Sequence, residues 1–321
     1  MAAEISSQRR IPNFFIVGHP KSGTTALYTM LRDHPQIFMP TLKEPLFFSS
    51  DMRLRFPTPR SGKLPQTLDA YLALFAAAQP EQMWGEASSS YLWSRSAAAA
   101  IAEARPDARI IAVLREPASF LRSLHLQLMQ IHVESQGNFR KAIALESARR
   151  AGKRIPRRSH RPQLLLYSEH VRYVEQLRRY ESVFPAEQMM VIVYDDFRAD
   201  NEATVRGILR FLDLDDTAEI RIKDANPTVT VRAPRLHGLS QALALGQGRL
   251  SHTVNTAVKA LGPRRLRRVV TIRERLLMGK PSSPDEELAL ELRRRFKPEV
   301  VALSEHLDRD LVSLWGYDRL D

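Results

Sequence analysis

The sequence predicts an α/β fold of three layers, with a central, mainly parallel β-sheet flanked by helices. Three apolar segments, at residues 14–17, 109–114 and 189–194, have the length and continuous hydrophobicity of strands that are buried on both faces. Segments with helical spacing of apolar residues lie between them, and such alternation is typical of parallel sheets. Because ligands of these folds bind beyond the carboxyl ends of the strands, we expect functional residues where the strands end.

The composition fits one globular domain without cysteine chemistry. The chain is 44% hydrophobic, enough for a full core, and we expect a single domain over residues 1–321. Within it we expect a flexible tail at 1–11, loop insertions at 51–66 and 150–163, and a mostly helical C-terminal part at 213–321. The absence of cysteine excludes disulfides, thiolate metal sites and a cysteine nucleophile. Without a signal peptide or a long apolar run, we expect a soluble, cytoplasmic protein.

The net charge of +12 suits nucleic acid, an anionic membrane or a small anionic ligand. Much of the basic excess lies in residues 149–161 and 264–268, and no RNA-stacking motif, zinc finger or basic zipper accompanies it. We therefore interpret most of these side chains as solvated surface and expect no nucleic-acid partner. The sequence leaves peripheral membrane contact and the oligomeric state open.

The first predicted strand runs into a loop with the features of a phosphate-binding site. Residues 18–25 read G-H-P-K-S-G-T-T, and apolar residues at helical spacing follow. Such a loop directs backbone N–H groups, the positive end of a helix and a lysine ammonium to one point, as a phosphate requires. A turn that only caps a helix with a hydroxyl is the alternative interpretation. The predicted ligand contacts are Lys21, Ser22, Gly23, Thr24 and Thr25.

The spacing of this loop separates it from the nucleoside-triphosphate loop. In G-x-x-x-x-G-K-[ST] the lysine directly follows the second glycine, a position that Thr24 occupies here, whereas Lys21 stands in mid-loop. The P-K-S-G-T-T form resembles the 5′-phosphosulfate loop of sulfotransferases that use 3′-phosphoadenosine 5′-phosphosulfate (PAPS). The resemblance implies a P-loop-like fold, PAPS as the sulfuryl donor and adenosine 3′,5′-bisphosphate as the product.

A Lys-Glu pair follows a further short strand that the sequence predicts at residues 36–39. Residues 41–48 read T-L-K-E-P-L-F-F, which resembles the heparan sulfate and carbohydrate branch of the sulfotransferases. The resemblance implies that Glu44 is the base that takes the acceptor's proton, and burial beside Phe47 and Phe48 is expected to make it a better base. By analogy with phosphoryl transfer, Lys21 is expected to steady the charge on the departing phosphate. A surface Lys-Glu pair on a polar loop is the alternative interpretation.

A third motif departs from this branch at one position. Residues 84–92 read W-G-E-A-S-S-S-Y-L and resemble its G-E-x-(S/T)-P-x-Y segment. Heparan sulfate enzymes often carry a lysine where this chain has Ala87, so a second cation near the transferred group is missing. The departure argues against a heparan-type acceptor, and Lys43 is a candidate replacement for that cation.

The predicted strand at 109–114 is followed by an arginine, at the carboxyl end of the strand where we expect a ligand to bind. Arg115 and Ser123 form an R-(D/E)-P-x5-S pattern, which resembles the site that holds the 3′-phosphate of PAPS in this family. The guanidinium fork matches phosphate oxygens bidentately, so the chemistry agrees with the resemblance. An arginine at a strand end otherwise commonly pairs with a neighbouring helix.

Two further contacts are implied by resemblance alone. Residues 194–197, Y-D-D-F, resemble the Y-E-D-L segment of sulfotransferases, which implies that Tyr194 approaches the adenine; packing against a helix is the alternative. Residues 278–281, M-G-K-P, precede two predicted helices and resemble the cofactor-covering loop of the family. That resemblance implies that Lys280 contacts the donor.

No metal site is predicted. His125 and His132 lie seven residues apart, whereas metal-binding histidine pairs on helices lie three or four apart with a carboxylate partner. We expect both to be packing or surface residues. His19, inside the phosphate loop, is the one histidine that remains a candidate for ligand contact.

These observations together predict a sulfotransferase. We expect it to transfer a sulfuryl group from PAPS to a hydroxyl of a carbohydrate, a glycolipid or a small-molecule natural product. The main alternative is a P-loop kinase or NTPase-like enzyme, which needs a lysine after the second glycine and an acidic Mg²⁺ ligand after a hydrophobic strand, where this chain has Arg115. A non-catalytic nucleotide- or nucleic-acid-binding module is the second alternative, and Glu44 argues against it.

Overall fold

A parallel five-stranded sheet forms the centre of the protein. The computed structural model describes residues 10–52, 61–157, 159–222 and 285–320, together with 54, 230–231, 278–279 and 283. The strands of the sheet lie in the order β2-β3-β1-β4-β5, and every neighbouring pair is parallel. They are β1 (Phe14–Gly18), β2 (Ile37–Phe38), β3 (Met83–Ala87), β4 (Arg109–Leu114) and β5 (Met189–Val193). The predicted fold class is confirmed.

Helices connect the strands, as parallel neighbours require. A short antiparallel pair, β6 (Thr230–Val231) and β7 (Met278–Gly279), is separate from the main sheet. No helix in the described ranges is both long and apolar enough to cross a membrane. The described α-helices are α1 (Thr24–Arg32), α2 (Leu68–Leu72), α3 (Ala97–Ala104), α4 (Pro117–Gln130), α5 (Phe139–Ala144), α6 (Glu146–Arg150), α7 (Tyr173–Glu181), α8 (Tyr194–Ala199), α9 (Asn201–Phe211), α10 (Glu286–His306) and α11 (Leu311–Leu314).

The central strand β1 divides the core into two halves. Successive side chains of a strand point to opposite faces of the sheet, and all of β1 is buried. Phe15 and Val17 pack in a large cluster with residues of α4, α7 and α10, while Phe14 and Ile16 pack in a smaller one with residues of α1 and α9. The helices therefore cover both faces of the sheet and complete the three layers.

The structure differs from the sequence prediction in three elements. Strand β3 was not predicted, because M-W-G-E-A lacks the β-branched residues that strands favour. The spacing of apolar residues predicts one helix over 167–182, whereas the structure divides this segment into a 3₁₀ turn at Tyr167–Val171 and the α-helix α7. The sequence also predicts a helix over 284–296, which in the structure extends to His306 with Pro298 inside it.

The close packing of β1 on β3 predicts a stability effect at Gly85. A Cβ on Gly85 would lie 2.1 Å from the ring of the fully buried Phe14, whose residue pairs with Gly85 in the sheet. Gly85→Ala should therefore lower the free energy of unfolding by about 1–3 kcal/mol, the scale of overpacking in a tight core. Urea unfolding measures the loss.

Gly137→Ala is the matched control, because a Cβ there would meet no heavy atom within 4 Å. This control variant should unfold at nearly the wild-type midpoint. Equal midpoints for Gly85→Ala and wild type would show that β3 does not pack on Phe14 as described.

Candidate active site

The loop after β1 presents an unsatisfied anion-binding surface. Gly23, with φ of 82°, directs the chain into α1, and having no side chain it leaves the first amides of the helix uncapped. Lys21 also has a positive φ, of 68°. The Ser22 hydroxyl is buried without a hydrogen-bond partner among the described residues. Free helix amides and an orphaned hydroxyl are the groups that a phosphate would satisfy.

Two cations meet at this loop. The Arg115 guanidinium donates from Nη1 to the Lys21 carbonyl at 2.7 Å, and from Nε and Nη2 to the Ser119 hydroxyl at 3.1 and 2.7 Å. Burial and the positive charge of Arg115 lower the pKa of Lys21, and burial also lowers the pKa of Arg115. An anion placed between these groups would relieve both effects.

Tyr194 completes this side of the site. It begins α8 directly after β5, and the Arg115 guanidinium lies over its ring at 4.8 Å from the centroid. A Cβ placed on Gly23 would lie 3.0 Å from the same ring. The carboxyl ends of β1, β4 and β5 therefore bring Lys21, Arg115 and Tyr194 together.

The other residues predicted to contact the sulfuryl donor are not in contact with Lys21, Arg115 or Tyr194 in the hydrogen bonds described above. Ser123 is 5% exposed on α4, one turn beyond Ser119, which is the residue that receives the Arg115 hydrogen bonds. Thr25 is exposed at the start of α1. Lys280 lies outside the described residues. Ser119 was missed, although its position four residues after Arg115, in the first turn of a helix, is a pattern that the sequence contains.

The segment that carries Glu44 is anchored to the chain that follows β3. Glu44 has a positive φ of 60°, and its N–H donates to the Ala87 carbonyl at 3.0 Å. Further along, the Leu46 N–H donates to the Ser88 hydroxyl and the Phe48 N–H donates to Tyr91 Oη, both at 3.1 Å. These bonds compensate the uncommon backbone conformation of Glu44 and fix the direction of its side chain.

The Glu44 carboxylate is held in its ionised form. Its Oε1 accepts from Lys43 Nζ at 3.0 Å, from Ser89 Oγ at 2.6 Å and from the Ser89 N–H at 3.2 Å. Burial raises its pKa, but the Lys43 charge and the hydrogen bonds from Ser89 together bring that pKa below its ordinary value. The expectation that burial makes Glu44 a stronger base is therefore wrong for this structure.

Lys43 links the carboxylate to the phosphate loop. Its ammonium donates to Thr24 Oγ1 at 3.4 Å as well as to Glu44. Thr24 is the first residue of α1, directly after the loop. The Lys43 side chain therefore contacts both the end of the loop and Glu44. Ala87 supplies no cation, and the Lys43 ammonium lies beside the loop.

A second carboxyl group lies beneath this segment. Glu86 is fully buried, and its Oε2 accepts from Tyr71 Oη at 2.8 Å and from Tyr91 Oη at 3.0 Å. Burial raises its pKa to about 7. Since Tyr91 also receives the Phe48 N–H, Glu86 supports the Glu44 segment from below.

His19, the histidine of the phosphate loop, is packed in the protein core. His19 is fully buried between Phe120 and Tyr173, and its Nε2 lies 2.8 Å from Gln176 Oε1. Burial and the proximity of His170 lower its pKa to about 3, so the ring is neutral and offers no charge to an anion. In the described residues, no cluster of three or more His, Asp or Glu side chains could hold a metal ion.

The fold and the site define an α/β protein in which the first strand of a parallel sheet ends in a loop with two cations and unsatisfied hydrogen-bond donors. The chain belongs to the sulfotransferase family, whose model matches residues 12–218. The family predicted from the sequence is confirmed.

The relatives of the chain include carbohydrate sulfotransferases. Carbohydrate sulfotransferase 15 of Mus musculus is 26% identical, and that of Homo sapiens 24%, over 70% of this chain and 48% of their own length. The chain thus spans about half the length of these curated relatives. The crystal structure of a sulfotransferase from Alicyclobacillus acidocaldarius superposes with a TM-score of 0.66 at 27% identity, covering 95% of this chain and 99% of the other.

The raised pKa of Glu86 predicts a pH-dependent stability. The folded state favours protonated Glu86, so its contribution is fully present below about pH 4.5 and is lost as the pH rises through about 7. Glu86→Gln cannot titrate. The unfolding free energy of the wild type minus that of this variant should therefore fall by roughly 2–4 kcal/mol across this range. Urea unfolding at several pH values gives the difference, and a constant difference would contradict the raised pKa.

Proposed function

We propose that this protein transfers a sulfuryl group from PAPS to a hydroxyl group of an acceptor. One observation carries the proposal: a single ammonium, that of Lys43, contacts both the phosphate loop at Thr24 and the ionised carboxylate of Glu44. Donor binding and proton removal would thus occur side by side, as an in-line transfer requires. Membership of the sulfotransferase family supports the same reaction.

The donor site is assigned from groups that need an anion. Lys21, the amides of residues 23–25 and the orphaned Ser22 hydroxyl would hold the 5′-phosphosulfate. Arg115, with Ser119 and with Ser123 further along the helix, would hold the 3′-phosphate. Tyr194 would form the wall on the adenine side. PAPS supplies the sulfuryl group when it is bound.

The residues of the chain account for the movement of protons and charge. Glu44 takes the proton of the acceptor hydroxyl while the acceptor oxygen forms its bond to sulfur. The bond between sulfur and the bridging oxygen breaks, and its electron pair leaves with the 5′-phosphate. Lys21 stabilises that departing charge, and Lys43 supplies the second cation that Ala87 cannot provide.

A carbohydrate hydroxyl is the acceptor class that we propose. Support comes from the similarity to carbohydrate sulfotransferase 15 and from the K-E-P-L-F-F segment at residues 43–48. A glycolipid and a hydroxylated natural product are the alternatives to be tested beside it. The kinase-like alternative is not favoured, because Thr24 occupies the lysine position of the triphosphate loop and Arg115 follows β4.

Transfer of label from sulfur-labelled PAPS to a panel of carbohydrate, glycolipid and small phenolic acceptors tests the function directly. Label should pass to carbohydrate hydroxyls. Hydrolysis of ATP with Mg²⁺ in the same assay, without transfer of label, would instead support the kinase-like alternative.

Arg115→Ala should remove recognition of the 3′-phosphate. Loss of a hydrogen-bonded charge in a partly buried site costs about 1.5–3 kcal/mol, or roughly 10- to 150-fold in affinity. Titration calorimetry with adenosine 3′,5′-bisphosphate and with adenosine 5′-phosphate should show a larger loss for the bisphosphate, because Arg115 contacts the 5′-phosphate loop only through the Lys21 carbonyl. Arg105→Ala is the control, since Arg105 pairs with Asp107 before β4, at the opposite edge of the sheet. A retained preference for the bisphosphate would contradict the assignment of Arg115.

Glu44→Gln should separate catalysis from donor binding. It preserves the shape of the side chain and removes the base, so turnover should fall by about 10²–10⁴-fold while affinity for adenosine 3′,5′-bisphosphate stays close to wild type. Glu187→Gln, on an exposed residue, is the matched control. Lys21→Ala should by contrast weaken both binding and turnover. Normal turnover by Glu44→Gln with the identified acceptor would move the search for the base elsewhere.

The variant Lys43→Gln tests the role of the Glu44 carboxylate through the pH dependence of kcat/KM. Since Lys43 lowers the pKa of Glu44, its removal should shift the acidic limb of the kcat/KM profile to higher pH. An unshifted limb would show that the titrating base is not next to Lys43.

A further inference from the structure

The C-terminal end of the chain contacts residues that adjoin the proposed donor site. It lies outside the segment 12–218 matched by the family model. After α10 the chain turns at Arg309, forms the short helix α11 and continues through Trp315 and Tyr317, which are 5% and 0% exposed. We call residues 309–317 the C-terminal clasp.

One side of the clasp holds the first turn of α8. Arg309 makes a bidentate ion pair with Asp196, at 2.5 and 2.7 Å, and Trp315 Nε1 donates to Asp195 Oδ2 at 3.0 Å. Asp195 and Asp196 directly follow Tyr194. Both contacts therefore restrain the turn that places the Tyr194 ring between Gly23 and Arg115.

The other side of the clasp holds the residue after Arg115. Tyr317 Oη donates to Glu116 Oε1 at 2.7 Å in a buried position. Glu116 also caps α4 by accepting from the Ala118 and Ser119 N–H groups at 3.1 and 2.6 Å. These donors, with Arg293 at 3.5 Å, fix the position of the Glu116 carboxylate, whose charge acts on Arg115. Without them that carboxylate would compete with a phosphate for the guanidinium.

The contacts of the clasp are better suited to fixing the orientation of side chains than to stabilising the whole fold. The Arg309–Asp196 pair is 39% and 45% exposed, and exposed pairs contribute little to global stability. Its bidentate geometry instead fixes orientation. Arg115 and Tyr194 are in direct contact, so one arm of the clasp acts next to each member of this pair.

We propose that the C-terminal clasp positions the donor-binding pair Arg115 and Tyr194, through Tyr317 on Glu116 and through Arg309 and Trp315 on Asp196 and Asp195. The role rests on the proposed function, because it assumes that this pair binds the donor nucleotide. Arg309, Trp315 and Tyr317 are positioning residues, which contact the neighbours of the pair.

The two arms should affect different parts of the nucleotide. Tyr317→Phe removes one hydrogen bond to Glu116, so it should weaken adenosine 3′,5′-bisphosphate by roughly 3- to 10-fold and leave adenosine 5′-phosphate nearly unchanged. Arg309→Ala acts through Tyr194 on the shared adenosine part, so it should weaken both ligands by a similar factor. Titration calorimetry gives both affinities, and urea unfolding of each variant records any change in stability.

Arg319→Ala is the matched control, because Arg319 is 85% exposed and pairs with its neighbour Asp318 at 3.9 Å. It should bind both nucleotides as the wild type does. Should Arg309→Ala fail to fold, Arg309→Lys keeps the charge and loses the bidentate fork, so it should show the same loss in weaker form.

The outcomes separate this role from the proposed function. If the wild type binds the bisphosphate and Arg115→Ala weakens it, but Tyr317→Phe and Arg309→Ala bind normally, the clasp is only structural and the proposal is overturned. Equal losses for both nucleotides in Tyr317→Phe would overturn the assignment of that arm to the 3′-phosphate. A wild type that binds neither nucleotide would instead overturn the donor site itself, and the positioning role with it.

Discussion

The hydrogen bond from Arg115 to the Lys21 carbonyl is the interaction on which the candidate site depends. β1 and β4 are adjacent parallel strands in register from Phe14–Arg109 to Gly18–Val113, so the residues after them emerge side by side. The guanidinium then joins the two loops, at 2.7 Å, across the point where a ligand would lie. Lys21 has a positive φ, and this bond to its carbonyl helps to maintain that conformation. One arginine therefore shapes the phosphate loop while leaving its own positive charge beside it.

The two carboxyl groups near the site show how position decides protonation. Glu44 and Glu86 lie on neighbouring segments, and burial acts on both. Glu86 accepts two tyrosine hydroxyls at Oε2, and burial raises its pKa, whereas Glu44 accepts from a lysine and a serine, which lower its pKa. Opposite shifts in a pair of carboxyl groups are typical of sites that assign them different tasks. Here Glu86 supports the loop, and Glu44 is the exposed end of the pair, with 20% of its side chain in contact with solvent.

Sequence patterns revealed the parts of the fold that repeat locally, and missed those that depend on contacts between segments. The strands β1, β4 and β5 were predicted because buried parallel strands are continuous apolar runs. Strand β3 was not, since its place in the sheet depends on pairing with β2 and β1 and on the packing of Phe14 against Gly85. Resemblance indicated Glu44, Arg115 and Tyr194, and the structure brings the last two together. Three features were not predicted: the contact of Lys43 with Thr24, the role of Ser119 and the lowered pKa of Glu44. Each depends on which loops lie side by side in the fold, and the spacing of residues along the sequence does not contain that information.

Lys43 imposes a compromise on Glu44. A base is most effective when it is ionised at the working pH and still has a high affinity for the proton. The ammonium at 3.0 Å keeps Glu44 ionised and lowers its affinity for the proton at the same time. The same ammonium is 3.4 Å from Thr24 at the start of α1, so an anionic donor on the loop would offset its charge. Under the proposed function, Glu44 is therefore a weaker base in the free protein than beside a bound donor, which couples proton removal to the presence of the group that the acceptor oxygen attacks.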